Sequence, residues 1–106
     1  MISFELILYT RSGCCLCEGL EEKLKSIPLK ELHSGIQFSI KDIDKGTVNE
    51  IERTNYSMKV PVLVLKLNSQ SPLIELPRVS PRLKKEALLE WLQKMIRERI
   101  NEDRKI

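Results

Sequence analysis

The sequence predicts an α/β fold of order β-α-β-α-β-β-α, with a four-stranded mixed sheet and helices on both faces. Three patterns carry that prediction. Leu6-Ile7-Leu8-Tyr9 is a continuous apolar run that stops at Arg11-Ser12-Gly13, after which apolar residues recur at helical spacing. Ile36, Phe38 and Ile40 then alternate with Gln37, Ser39 and Lys41. Finally, Val62-Leu63-Val64-Leu65 is a second buried-type run, with a long helical stripe beyond it.

Each element follows in turn. The first run suits a central strand. Cys17, Leu20, Leu24 and Ile27 form one stripe of an amphipathic helix, with Glu18, Glu21, Glu22, Lys23 and Lys25 on its other faces; Pro28 stops it near Ile27. Alternation at Ile36–Ile40 marks a half-buried strand. Thr47 and Glu50 match a capping box and predict a short helix starting there. After the Val62–Leu65 strand, Asn68–Pro72 reads as a hairpin loop and Leu73–Leu76 as the returning strand, placed at an edge by Pro77. Ser80-Pro81 predicts an N-cap with proline at the first helical position. Leu83, Ala87, Leu88, Trp91, Leu92, Met95, Ile96 and Ile100 then form the stripe of a long last helix, with residues 101–106 as a frayed tail. The two strands flanking the first helix should be parallel, joined by a right-handed crossover.

Composition narrows the class. A length of 106 residues suits one small domain spanning 1–106, and 42% apolar residues suffice for one core. No apolar run approaches the roughly 20 residues of a membrane span, and no signal peptide is visible, so a cytoplasmic protein is expected. The net charge of +3 comes from basic and acidic residues mixed throughout, with five aromatics, which argues against a nucleic-acid partner.

All three cysteines, Cys14, Cys15 and Cys17, fall within four residues. A secreted disulfide scaffold spreads an even number along the chain, so this cluster points to redox or metal chemistry. Cys14 and Cys17 form a C-x-x-C between a buried strand and the first turn of a helix. Unpaired N–H groups and the helix dipole stabilise a thiolate there, and such thiols often titrate below the usual value of about 8.5. Cys17 shares the stripe of Leu20 and Leu24 and should face inward; Cys14 lies at the cap and should be exposed. Cys14 is therefore the expected nucleophile of thiol–disulfide exchange and Cys17 the resolving thiol. Arg11 adds positive charge nearby. Cys15 projects about 100° round the helix, toward Glu18, Gly19 and Glu22, and reads as a bystander or a site of oxidation or glutathionylation.

The stretch "LILYTRSGCCLCEGLEEKL", residues 6–24, resembles the thioredoxin-fold superfamily, and within it the small glutaredoxin-like proteins with a T-R-x-G-C-x-L-C-E start. Val60-Pro61 ahead of the third strand, the later Leu76-Pro77-Arg78 and the Trp91-Leu92 pair extend the resemblance over nearly the whole chain. It implies a thioredoxin-like fold, a cis Val60-Pro61 bond packed against the cysteine pair, and a Val60 backbone free to pair with an extended substrate. Arg11, Val60, Pro61, Arg78 and Ser80 are the expected substrate-binding residues; Arg78 and the N–H groups behind Ser80 could hold a carboxylate. Cys15-Leu16 replaces the Pro-Tyr of typical glutaredoxins, and no glycine follows Gly46 where those proteins carry a Gly-Gly pair.

The chain therefore reads as a small dithiol–disulfide oxidoreductase, monomeric, without a bound cofactor or metal. Its expected partner is a disulfide-containing protein or a glutathione mixed disulfide, with glutathione as candidate reductant. A thiol-based metal or iron–sulfur carrier is the main rival. Cys14, Cys15, Cys17 and His33 could supply four zinc ligands, but three cysteines in one helical turn close a tetrahedron poorly. A thioredoxin-fold binding module with little catalytic activity is the other.

Overall fold

The computed structural model describes residues 4–29, 35–46, 48–66, 73–80 and 82–104. Its elements are β1 (Phe4–Thr10), α1 (Cys15–Ser26), β2 (Ile36–Asp42), α2 (Glu50–Tyr56), β3 (Val62–Lys66), β4 (Ile74–Glu75) and α3 (Lys85–Arg104). The sheet order is β2-β1-β3-β4, with β1 parallel to β2 and antiparallel to β3, and β3 antiparallel to β4. This is the expected four-stranded mixed sheet of a thioredoxin-like fold.

The pleat of β1 divides the interior into two layers. Leu6 and Leu8 point to one face, where they pack with Leu20 and Leu24 of α1 and Leu88, Leu92 and Ile96 of α3. Ile7 and Tyr9 point to the other, where they meet Val48, Val62, Val64 and Tyr56 of α2. Because β1 is buried on both sides, it reads as a continuous apolar run, whereas edge strand β2 alternates.

Tyr9 places a hydroxyl where no water reaches, so it needs a partner. Its Oη donates to the Glu52 carboxylate, and Lys41 Nζ lies 3.5 Å from the same Glu52 oxygen. The Tyr56 ring lies 4.8 Å from that of Tyr9. Burial, first, and then the Glu52 carboxylate hold the Tyr9 phenol well above the usual tyrosine range. The folded protein thus keeps this proton at pH values where an unfolded tyrosine, with a pKa of about 10, releases it. Stability from Tyr9 is complete below about pH 10 and is lost as pH rises further. Urea midpoints of wild type and Tyr9→Phe measured from pH 8 to 11.5 should show the steeper alkaline loss in wild type; parallel curves would refute the assignment.

Boundaries differ from expectation in four places. Helix α2 is capped by Asn49, whose Oδ1 accepts the Glu52 N–H at 2.8 Å, and begins at Glu50; Thr47 lies outside the described residues. Helix α3 begins at Lys85. Ser80 instead forms a turn, with its Oγ accepting the Arg82 N–H and its carbonyl the Leu83 N–H; Pro81 is outside the described residues. Strand β4 has only two residues, and α3 continues to Arg104 where a frayed tail was expected. The hairpin loop at 68–72 and His33 also lie outside the described residues. Among the described residues no helix is long and apolar enough to cross a membrane.

Candidate active site

Strand β1 leaves the sheet at Thr10, and Arg11–Cys14 turns the chain into α1. The Cys14 N–H bonds the Arg11 carbonyl at 3.2 Å, and Gly13 occupies the third position of the turn with φ of 81°. Such a backbone favours glycine. A Cβ at Gly13 would meet nothing within 4 Å, so substitution there carries a conformational cost alone. Gly13→Ala should destabilise by about 1–2 kcal/mol and Gly13→Asn by less, measured by urea unfolding.

The turn is tied down on its outer side. Arg11 forms a two-pronged pair with Asp44, Nε to Oδ2 at 3.0 Å and an Nη to Oδ1 at 3.3 Å. Ser12 Oγ donates to Asp42 Oδ2 at 3.1 Å, and Asp42 Oδ1 accepts the Asp44 N–H at 2.9 Å. That backbone N–H, helped by the Ser12 hydroxyl, holds the Asp42 carboxyl below the usual carboxylate range. The turn that carries Cys14 is thereby fastened to the end of β2 and the residues just beyond it.

Cys14 is the N-cap of α1, and its Sγ accepts the Cys17 N–H at 3.2 Å. The two cysteines are joined in a disulfide, with Cα atoms 5.2 Å apart. Cys17 is 1% exposed, on the core stripe with Leu20 and Leu24, as the helical spacing implies. Cys14 is half-buried rather than fully exposed. Cys15 is a free, exposed thiol and the first residue of the helix. Val60-Pro61 is cis, and both residues are half-buried.

A groove of about 190 Å³ runs between α1 and the segment after β4. It brings Pro61, Arg78 and Ser80 together with Cys15, Gly19 and Lys23. Three of the expected substrate-binding residues therefore share one surface, whereas Arg11 sits against Asp44, and neither Arg11 nor Val60 is among the lining residues. Pro61 and Arg78 also border a second depression toward Glu75 of β4. Sequence reading placed Cys15 toward Glu18, Gly19 and Glu22; in the structure Gly19 shares the groove with it, and Lys23 lines the groove as well. Sequence reading missed the Asp42 and Asp44 ties, which join residues about 30 apart in the chain. Among the described residues, no group of three His, Cys, Asp or Glu side chains is placed to hold a metal ion.

A family model described as glutaredoxin-like domain (DUF836) matches residues 5–93. No curated protein matches the chain. Among solved structures, the germline-specific thioredoxin Deadhead of Drosophila melanogaster is 16% identical with a TM-score of 0.59, covering 87% of this chain and 80% of that one. A structure described as a malarial protein is 19% identical with a TM-score of 0.57, covering 87% and 96%. The J-Trx1 fragment of ERdj5 is 14% identical with a TM-score of 0.56, covering 90% of this chain and 44% of that one. These likenesses establish the thioredoxin-like fold and nothing finer.

Proposed function

The chain belongs to the glutaredoxin-like domain family, and from that premise we propose that it is a dithiol–disulfide oxidoreductase of the T-R-x-G-C-x-L-C type. The observation that carries the reading is the Cys17 N–H donated to Cys14 Sγ at the start of α1. A backbone donor aimed at that sulfur favours its anionic form once the disulfide is opened. In the proposed cycle the Cys14 thiolate attacks a substrate disulfide R–S–S–R′, forming Cys14–S–S–R and releasing R′S⁻. Cys17, as thiolate, then attacks Cys14 Sγ, re-forming the Cys14–Cys17 disulfide and releasing RS⁻. Two electrons pass to the substrate, and an external thiol, with glutathione as the candidate, returns the pair to its reduced form.

Substrate binding falls to Val60, Pro61, Arg78 and Ser80, the Val60 backbone pairing with an extended chain beside the cis bond. Arg11 acts on the turn through Asp44. The partner class is a protein disulfide or a glutathione mixed disulfide, met by a monomer in a reducing, cytoplasmic compartment; the tight odd-numbered cysteine cluster supports that setting. The test is turnover of a protein disulfide by the pre-reduced protein, followed by peptide mapping. A Cys14–Cys17 disulfide formed in step with substrate reduction is expected. Reduction without that product, or none at all, would contradict the proposal.

A further inference from the structure

Among the described residues, Glu52 is the one charged side chain in the buried interior, at 7% exposure. A carboxylate taken out of water needs donors, and Glu52 finds them on two strands. Tyr9 of β1 donates its hydroxyl to Glu52 Oε2, and Lys41 Nζ of β2 lies 3.5 Å from the same oxygen. Glu52 itself stands in the first turn of α2, a helix of seven residues that needs packing to hold its place. One buried carboxylate therefore fastens α2 to both strands, and the proposed cycle gives it no role. The last residue of α2, Tyr56, lies against Tyr9 with ring centroids 4.8 Å apart, and the Tyr56 carbonyl accepts the Lys59 N–H at 2.9 Å. That turn delivers the chain to the cis Val60-Pro61 bond. Val60 packs against the cluster that holds Tyr9, Tyr56 and Val62, and Val62 is the β3 partner of Tyr9 in the β1–β3 register. Tyr9 thus meets the chain on both sides of Val60-Pro61, at Tyr56 before it and at Val62 after it. The α1 stripe of Cys17, Leu20 and Leu24 lies on the other face of β1, so the Glu52 contacts stand on the side of the sheet away from the resolving sulfur.

We propose that Glu52 is a positioning residue for substrate: through Tyr9 and α2 it holds the Val60 backbone where an extended protein disulfide pairs with it. Resting on the proposed assignment of Val60 to substrate, this role concerns binding and not exchange at sulfur. An extended protein segment uses the Val60 backbone, whereas 2-hydroxyethyl disulfide has no backbone to pair with it. The Glu52 contacts therefore matter for the first substrate and not for the second. Tyr9→Phe keeps the ring but removes the donor. Glu52→Leu removes the acceptor shared by both strands. Glu52→Gln keeps an amide oxygen that can accept the Tyr9 hydroxyl, so it is the conservative variant that preserves the hold on α2.

Two measurements on the full chain test this role. Hydrogen exchange with the Cys14–Cys17 disulfide closed needs no turnover, so failure here is separable from failure of the proposed cycle. The N–H groups of Arg53, Ser57 and Lys59 bond the carbonyls of Asn49, Arg53 and Tyr56. In Tyr9→Phe and Glu52→Leu they should exchange at least about fivefold faster than in wild type, while the amides of α1 keep their rates. For the second measurement, pre-reduced protein is mixed with insulin or with 2-hydroxyethyl disulfide, and formation of the Cys14–Cys17 disulfide is followed after acid quench. Both variants should half-saturate at about three- to tenfold higher insulin concentration, with the limiting rate within about twofold of wild type. Their rates with 2-hydroxyethyl disulfide should also stay within about twofold. Glu52→Gln should follow wild type in both measurements. Unchanged exchange in both variants, an unchanged half-saturating insulin concentration, or equal losses of rate with the two disulfides would each overturn the proposal.

Discussion

Cys14→Ser is expected to lower disulfide-reducing activity at least about 100-fold, with the fold intact by circular dichroism. A hydroxyl in place of the thiolate removes the nucleophile, and groups acting as a unit lose nearly all their effect when the attacking member goes. Cys17 does not replace it: at 1% exposure its sulfur is closed to a bulky disulfide. Cys15 is exposed but lies on the groove face, without the Cys17 N–H that Cys14 Sγ accepts. Steady-state reduction of a protein disulfide measures the effect. Full activity in Cys14→Ser would place the chemistry on another sulfur.

Leu24→Ala carries the largest expected loss of stability, about 2–5 kcal/mol. Leu24 is fully buried, in the cluster that joins α1 to Leu6 and Leu8 of β1 and to Leu88 and Leu92 of α3. Truncation removes apolar contacts within that cluster and leaves a cavity in the core. Against a typical stability of about 5–15 kcal/mol, the variant loses a large share of its margin. Since α1 carries the cysteine pair, this packing also sets where Cys14 stands. Leu16→Ala, at a side chain 49% exposed on the same helix, should stay within about 0.5 kcal/mol. Denaturant unfolding at 25 °C compares them; equal losses would show that α1 does not dock through the Leu20–Leu24 stripe.

The fold was legible because its signals were strong and local. A strand buried on both faces cannot alternate, and Leu6–Tyr9 does not; a helix packed on one side must show a stripe, and Cys17–Leu24 does. The inward placement of Cys17 and the capping role of Cys14 follow from the same spacing. Helix starts were read less well, because Thr47 and Ser80 carry hydroxyls that can serve a cap or a turn equally, and only the surrounding chain decides. The Ser80 hydroxyl closes a turn onto Arg82, while Asn49 caps α2.

At the site, local reasoning found the cysteine pair and the family resemblance supplied the cis proline, but neither gave the contacts made across the chain. The Arg11–Asp44 and Ser12–Asp42 ties and the Tyr9–Glu52 bond join residues about 30 to 43 apart, which no period in the sequence encodes. Arg11 was expected to add positive charge near Cys14 and to help bind substrate; in the structure its guanidinium is paired with Asp44. The groove needed the segment after β4 to fold back over α1, and only that return shows what Cys15 faces.

The central claim, that Cys14 is the attacking sulfur and Cys17 the resolving one, is tested most directly by trapping. The pre-reduced Cys17→Ser variant, which retains both Cys14 and Cys15, is mixed with a protein disulfide, quenched with acid and mapped by peptide mass spectrometry. A stable mixed disulfide on Cys14, absent from wild type because Cys17 releases it, is the expected result. A partner linked mainly to Cys15, or no linked species while the substrate is still reduced, would contradict it.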